Sequence, residues 1–283
     1  MTYSKPNNNK KLTKKDIDFY QNNGYLVIEN VLNNNEVKEL QNASLTLEEE
    51  RNKLGGNDKL AVIMNVVFLH EAFMKTAFNK IMLGVAQQLI GENLRLQHCK
   101  LNWKPKSVGA GEVKWHQDFP YFPHTNHDLL ACMFLLDDAS IQNGCMRMIP
   151  GSHKYGPIDH KDANGKFTGN ATDNNPYEED LKKGNIADLE FKKGTMTIHH
   201  CCTLHASYPN ITDTPRRGLV YQIAGGNNIQ LGGNLHKARS IWLTGNDPEE
   251  VKFMDGTTLP LPRELTNVGG LEPSANWKTI TEE

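Results

Sequence analysis

The chain reads as a mainly β protein with flanking helices, the helices coming chiefly from its first third. Helical spacing of apolar residues persists only to about residue 90. Beyond residue 94 the apolar runs shorten to strand length and are separated by Gly, Pro and Asn turn dipeptides. Leu96, His98, Lys100 and Asn102 fall at period two, on one face of a strand. Many short strands at close spacing indicate an antiparallel barrel or sandwich.

Residues 1–11 are polar and rich in Asn and Lys and read as a disordered tail, leaving residues 12–283 as one domain with its β core at about 94–225. Thr13 is placed as a helix N-cap with Asp16 three residues on, and Asn23-Gly24 stops that helix. Tyr25-Leu26-Val27-Ile28 has strand character. A longer helix is expected from Asn33-Asn34-Asn35-Glu36, with Val37, Leu40, Leu45 and Leu47 on its apolar side. Leu60 to Leu69 is too apolar for a surface loop, and periodicity leaves strand and core helix open. Phe73 to Ile90 fits one amphipathic helix closed by Gly91.

The strand from Leu94 ends at Lys104-Pro105. Its polar face needs partners, because burying such groups unpaired is unfavourable, and the wall of a polar cavity supplies them. Leu129 to Leu136 is a buried strand, Asn143-Gly144 a hairpin turn, and Cys145 to Ile149 the returning strand. Residues 157–186 are dense in Asp, Asn, Lys and Gly and read as a long loop or lid. Strands resume at Gly194–Ile198 and Gly218–Ile223, and the tail from Arg239 is read as mostly irregular.

A chain of 283 residues buries a sizeable core. Lys and Arg number 31 against 33 Asp and Glu, and the basic runs are only the Lys10-Lys11 and Lys14-Lys15 pairs, so nucleic acid is not an expected partner. The N-terminus has no apolar signal core, and no segment approaches the roughly 18 apolar residues of a membrane span. A soluble, cytoplasmic protein without a membrane partner is expected. Five Cys is an odd count, and Cys201-Cys202 lacks metal-ribbon spacing, so reduced and inert thiols are expected. Oligomeric state is not legible.

The chemistry centres on Trp115-His116-Gln117-Asp118. On an extended strand, residues two apart share a face, so His116 and Asp118 reach one point. His205 is the candidate third donor, with His199 and His200 as rivals. Two His and one carboxylate form the facial triad of non-haem Fe(II) oxygenases, which keeps positions open. Arg216 follows His205 by 11 residues, with Arg217 adjacent. On a strand Arg217 would point to the opposite face, so only one of the two can serve the site; a structural ion-pair role is the plainer reading of Arg216, and a core position the plainer reading of His205.

In order along the chain, Leu12-Thr13 through Tyr20, Asn23 to Ile28, Trp115 to Asp118, Asn143-Gly144-Cys145, Ile149 to His153 and His205 to Arg216 resemble the phytanoyl-CoA dioxygenase family of Fe(II)/2-oxoglutarate oxygenases. The resemblance covers about residues 12–223. It implies a double-stranded β-helix, the cupin-like jelly roll, with iron at one mouth. By the same resemblance His116, Asp118 and His205 hold Fe(II), and Arg216 grips the distal carboxylate of 2-oxoglutarate, a task suited to a planar guanidinium. Ser207 adds a hydroxyl, and Asn102 and Lys100 are further co-substrate candidates. The implied reaction consumes O2 and 2-oxoglutarate, hydroxylates an unactivated C–H bond and releases succinate and CO2. Asp118 argues against halogenation, since halogenating relatives lack the carboxylate. The expected substrate is a small polar or anionic metabolite such as an amino acid, a compatible solute or an aminophosphonate. A fatty acyl-CoA, a natural-product tailoring reaction and a catalytically inactive jelly-roll binding protein are the alternatives.

Overall fold

Thr13 and Asp16 cap the first helix reciprocally: the Thr13 hydroxyl accepts the Asp16 N–H, and the Asp16 carboxylate accepts the Thr13 N–H. Gly24, left-handed at φ 77°, ends it. The computed structural model describes residues 11–53, 61–106, 111–172, 177–233 and 241–261. Nearly all of the expected disordered tail and Arg239 lie outside the described residues.

The elements run α1 (Lys14–Asn23), β1 (Tyr25–Ile28), α2 (Asn34–Lys53), β2 (Ala61–Met64), α3 (Glu71–Ala77), α4 (Lys80–Ile90), β3 (Leu94–Lys104) and β4 (Val113–His116). They continue with β5 (Leu129–Leu135), β6 (Met146–Met148), α5 (Tyr177–Lys182), β7 (Ala187–Asp188), β8 (Met196–His200), β9 (His205–Ser207) and β10 (Arg216–Gly225). Three short strands follow: β11 (Trp242–Thr244), β12 (Glu250–Lys252) and β13 (Thr258–Pro260).

The large sheet has the order β1-β8-β5-β10-β3-β11, with β2 also paired to β3, and the second sheet is β4-β9-β6-β7. All recorded pairings are antiparallel, as the jelly roll requires. The outer face of the large sheet packs on the helices through Leu26, Phe73, Met82, Leu101, Phe134 and Leu219. Tyr221, fully buried on this side, donates its hydroxyl to the Phe73 carbonyl at 2.6 Å. Between the sheets, Val27, Met133, Met146, Met148 and Val220 fill one part of the space. The remainder is a cavity.

Several expectations are corrected. Phe73–Ile90 is not one helix: α3 ends at Ala77, and Asn79 starts α4 by accepting the Ile81 and Met82 N–H groups with its side-chain oxygen. An N-capping Asn inside a helical period therefore outweighs the period. In α2, Leu45 is exposed while Val37, Leu40, Ala43 and Leu47 are buried. The 60–69 run divides into strand β2 and a short 3-10 turn at Val66–Phe68. Leu96 does not share a face with His98. A β-bulge inserts Gln97 where Gln222 pairs His98 and Ile223 pairs Leu96, which turns Leu96 to the helices and His98, Lys100, Asn102 and Lys104 to the cavity. Asn143-Gly144 turns the chain but closes no hairpin, because β6 pairs with β7 and β9 in the second sheet instead of with β5. The described part of the tail carries three short strands within otherwise irregular chain, in keeping with the mostly irregular tail expected.

Arg217 faces the helices and forms a two-pronged pair with Asp137, Nε to Oδ2 at 2.8 Å and Nη2 to Oδ1 at 2.7 Å. Its own N–H donates to the same carboxylate. Both side chains are mostly buried, so truncation leaves an uncompensated charge. Arg217→Ala is expected to lower unfolding stability by about 3 kcal/mol, read from urea midpoints, with the candidate site's ligand affinities unchanged.

Candidate functional site

Strand pairing brings the donors together. His116 ends β4 directly opposite His205, which begins β9. Their rings lie 4.1 Å apart, centroid to centroid. Asp118 reaches the same point by a route other than the extended one expected. Its backbone is helical (φ −73°, ψ −36°), and it opens the 3-10 turn Phe119–Tyr121 containing Pro120. One donor atom from each of His116, Asp118 and His205 lies within 4.8 Å of the other two.

Each donor is oriented by a second contact. His116 Nδ1 donates to the Lys114 carbonyl at 2.8 Å, and His205 Nδ1 donates to the Thr203 carbonyl at 2.9 Å. That tautomer leaves both Nε2 lone pairs free for a metal. Burial pushes His116 down to about 4, against the pull of Asp118, and holds His205 well below the usual histidine range. The surface His116 retains faces the cavity. Burial opposes an ionised Asp118, but His205, the hydrogen bond from His199 and the charge of Lys100 outweigh it, so the carboxyl sits well below its ordinary range. Asp118 Oδ2 accepts from Gln222 Nε2 at 2.6 Å and His199 Nε2 at 3.1 Å. Two neutral imidazoles and one carboxylate, dry and preset, suit a divalent first-row ion with open positions.

His199 and Gln222 are functional residues that sequence reasoning missed. The first stood as a rival ligand and instead orients Asp118. Gln222 carried no local signal: it reaches the carboxylate only because β10 runs in register beside β3 and β5.

The donors line a cavity of about 410 Å³ that also receives Lys100, Asn102, Lys104, Ser207 and Arg216, so every sequence-singled site residue meets there. At the end away from the three donors, Arg216 pairs across the sheet with Lys104. Like charges directly opposite are destabilising. Arg216 Nη2 donates to the Gly144 carbonyl at 2.7 Å, but its buried Nε has no partner, and no carboxylate among the described residues pairs with it. Lys104 Nζ donates to Ser207 Oγ at 2.7 Å and to the Tyr208 carbonyl. Burial, and then Arg216, lower Lys104 to about 7. A buried guanidinium beside a buried amine, with no carboxylate among the described residues paired to Arg216, is chemically suited to receive an anion. An anion settling there raises the Lys104 pKa and draws in a proton, so its affinity rises as pH falls toward 7. Gly144 (φ 89°) is required at this wall, since a Cβ there would stand 2.6 Å from the Tyr208 carbonyl and 2.8 Å from Lys104 Cδ.

The 157–172 stretch packs against the site. Gln117 Oε1 accepts the Ile158 N–H, the Gln117 N–H donates to His160 Nε2, and Tyr121 donates its hydroxyl to the Gly169 carbonyl. His124 is buried, its Nδ1 donating to the Phe122 carbonyl, and His153 holds the Gln21 carbonyl. Burial and the neighbouring Cys202 hold the Cys201 thiol well above its ordinary value, as inertness requires, whereas the Cys201 thiol, with His127 and His200, draws the Cys202 thiol below its ordinary value. No helix among the described residues is long and apolar enough to cross a membrane.

A probable alpha-ketoglutarate-dependent hypophosphite dioxygenase from Stutzerimonas stutzeri is 34% identical to this chain over 183 residues, which is 63% of this chain and 63% of that protein. The ectoine dioxygenase of Stutzerimonas stutzeri strain A1501 is 28% identical over 236 residues, 72% of this chain and 74% of that protein. Among solved structures, EctD from S. alaskensis with 2-oxoglutarate and 5-hydroxyectoine superposes with a TM-score of 0.64 at 20% identity, covering 87% of each chain, a likeness of fold. The family model for phytanoyl-CoA dioxygenase (PhyH) matches residues 20–218, well over half of the sequence. The jelly roll, the converging donors and this match agree: the chain belongs to the phytanoyl-CoA dioxygenase family.

Proposed function

We propose that this protein is an Fe(II)- and 2-oxoglutarate-dependent dioxygenase that hydroxylates an unactivated C–H bond of a small anionic metabolite. The observation that carries it is the meeting of His116, Asp118 and His205 at one end of a cavity whose other end holds a buried, unpaired guanidinium. When bound, the iron with 2-oxoglutarate and O2 supplies the oxidising power, and succinate and CO2 leave with the hydroxylated product.

The chain's own residues set the geometry. His116, Asp118 and His205 would hold the iron, and His199 and Gln222 keep the Asp118 carboxylate turned toward the point where the three donors meet. Arg216, Lys104 and Ser207 receive the distal carboxylate of 2-oxoglutarate, exchanging like-charge repulsion for charge-assisted hydrogen bonds. Met133, Met146, Val220 and Phe122 line the space with apolar surface that excludes water. Lys100 and Asn102 project from β3 between the two ends. Expected from the sequence as co-substrate candidates, they are assigned here to the substrate's negative group, and this polar wall suits a small metabolite better than a fatty acyl chain. The relatives named for hypophosphite and ectoine, both small polar molecules, support this size class. All five thiols are unpaired, which suits a reducing cytoplasm.

The test is succinate formation from 2-oxoglutarate under O2 and Fe(II), screened with small carboxylates, phosphonates and phosphinates beside neutral analogues. Anions are expected to stimulate turnover, and Lys100→Met is expected to raise their KM about tenfold or more, the loss of one charge-assisted contact. Stimulation by neutral analogues alone, unaffected by Lys100→Met, would contradict the anionic reading.

A further inference from the structure

Behind the candidate iron centre lies a second group of metal-binding side chains. β8 ends at His200, and Cys201-Cys202 form the turn that leads into His205. His127 approaches the turn from the start of β5. Cys201 Sγ and Cys202 Sγ are 3.9 Å apart, Cys202 Sγ is 3.7 Å from His127 Nε2, and Cys201 Sγ is 3.9 Å from His200 Nδ1. Zinc–sulfur bonds of about 2.3 Å and zinc–nitrogen bonds of about 2.0–2.1 Å give a tetrahedron with S–S edges of about 3.8 Å and S–N edges of about 3.6 Å. These three separations match such edges to within a few tenths of an ångström; one donor atom each of His200, Cys201 and Cys202 lies within 4.8 Å of the other two, and His127, whose Nε2 meets Cys202 alone of the three, closes the tetrahedron by swinging its ring inward.

We propose that His127, His200, Cys201 and Cys202 form a closed Cys2His2 site for Zn(II), separate from the candidate iron centre. The donor set contains no carboxylate, and thiolate with imidazole favours zinc over Fe(II). Both sulfurs are fully buried, while the two imidazoles are only half-buried and give an ion a way in. Four protein donors leave no open position, so the role is structural. The turn is tied to the metal-bearing segment next door: the Gln117 side chain donates to the Cys202 carbonyl at 2.8 Å, and the Phe119 N–H donates to the Cys201 carbonyl at 3.0 Å. An ion here clamps the turn that carries His205 to the segment that carries His116 and Asp118. His200 is the weakest ligand, because its Nδ1 now accepts the Cys202 N–H at 3.1 Å and gives up that bond to the metal.

The experiment uses the full chain carrying His116→Ala, which silences the iron centre, reduced, stripped of metal and held without oxygen. Co(II) serves as the spectroscopic stand-in and Zn(II) as competitor. One equivalent of Co(II) with a thiolate-to-metal charge-transfer band is expected, displaced by Zn(II), with a higher melting temperature in the zinc form. Adding Cys202→Ala abolishes the band. Adding His127→Ala, which changes a half-buried ring, weakens Co(II) binding at least tenfold even where Cys202→Ala misfolds. Adding His200→Ala weakens it less. Uptake without a thiolate band, or no uptake by the folded, fully reduced His116→Ala protein, overturns the proposal.

Discussion

His116→Ala removes iron-dependent turnover and weakens Fe(II) binding by more than about a hundredfold, since altering even the outer contacts of metal ligands lowers affinity about 10–100-fold. His116 is opposed across the strand pair by His205, and its Nδ1 is already committed to the Lys114 carbonyl. The neighbouring His199, its ring 4.4 Å from that of His205, already spends Nε2 on Asp118. The check is iron content after anaerobic loading together with succinate formation, on protein whose circular dichroism matches the wild type. Near-normal iron retention would move the centre to another set of donors.

Arg216→Ala acts at the other end of the cavity. Truncating one partner of a buried, hydrogen-bonded charge pair costs about 2–5 kcal/mol, so the 2-oxoglutarate requirement should rise about thirtyfold or more. Fe(II) affinity measured without 2-oxoglutarate should stay within about threefold, because Arg216 contacts none of the three donors. Lys104 and Ser207 remain in place, so binding is weakened without being abolished. Arg216→Lys recovers only part of the loss, since an ammonium cannot make the forked contact. Equal losses for iron and 2-oxoglutarate would assign the carboxylate contact to another residue.

How much of this was legible in the residues depended on how local the determinant is. The capping box at Thr13–Asp16 is written within four residues and was read correctly. The pairing of His116 with Asp118 was legible as chemistry but not as geometry: two donors two apart suggested a strand, whereas the strand ends at His116 and Pro120 helps turn the chain at Asp118. Arg216 and Arg217 were separable because neighbours on a strand face opposite ways, and one faces the cavity while the other meets Asp137. Residues whose roles depend on strand register stayed hidden. The bulge at Gln97 decides which side chains of β3 enter the cavity, and through it Lys104 comes to stand opposite Arg216. His199 and Gln222 reach Asp118 from β8 and β10, far away in sequence, and no spacing rule links them. The Asn143-Gly144 turn was recognised as a turn, but its value to the site, a carbonyl for Arg216 and room for Lys104, appears only once the two sheets face each other.

The measurement that tests the central claim most directly is an anaerobic titration of the metal-free protein with Fe(II) and 2-oxoglutarate, followed by visible absorption. A weak charge-transfer band that appears only when both are present, and that is absent from the Arg216→Ala protein at the same 2-oxoglutarate concentration, is the expected result. A folded wild-type protein that gives no band at saturating Fe(II) and 2-oxoglutarate would contradict it, and would leave the jelly roll as a binding module without this chemistry.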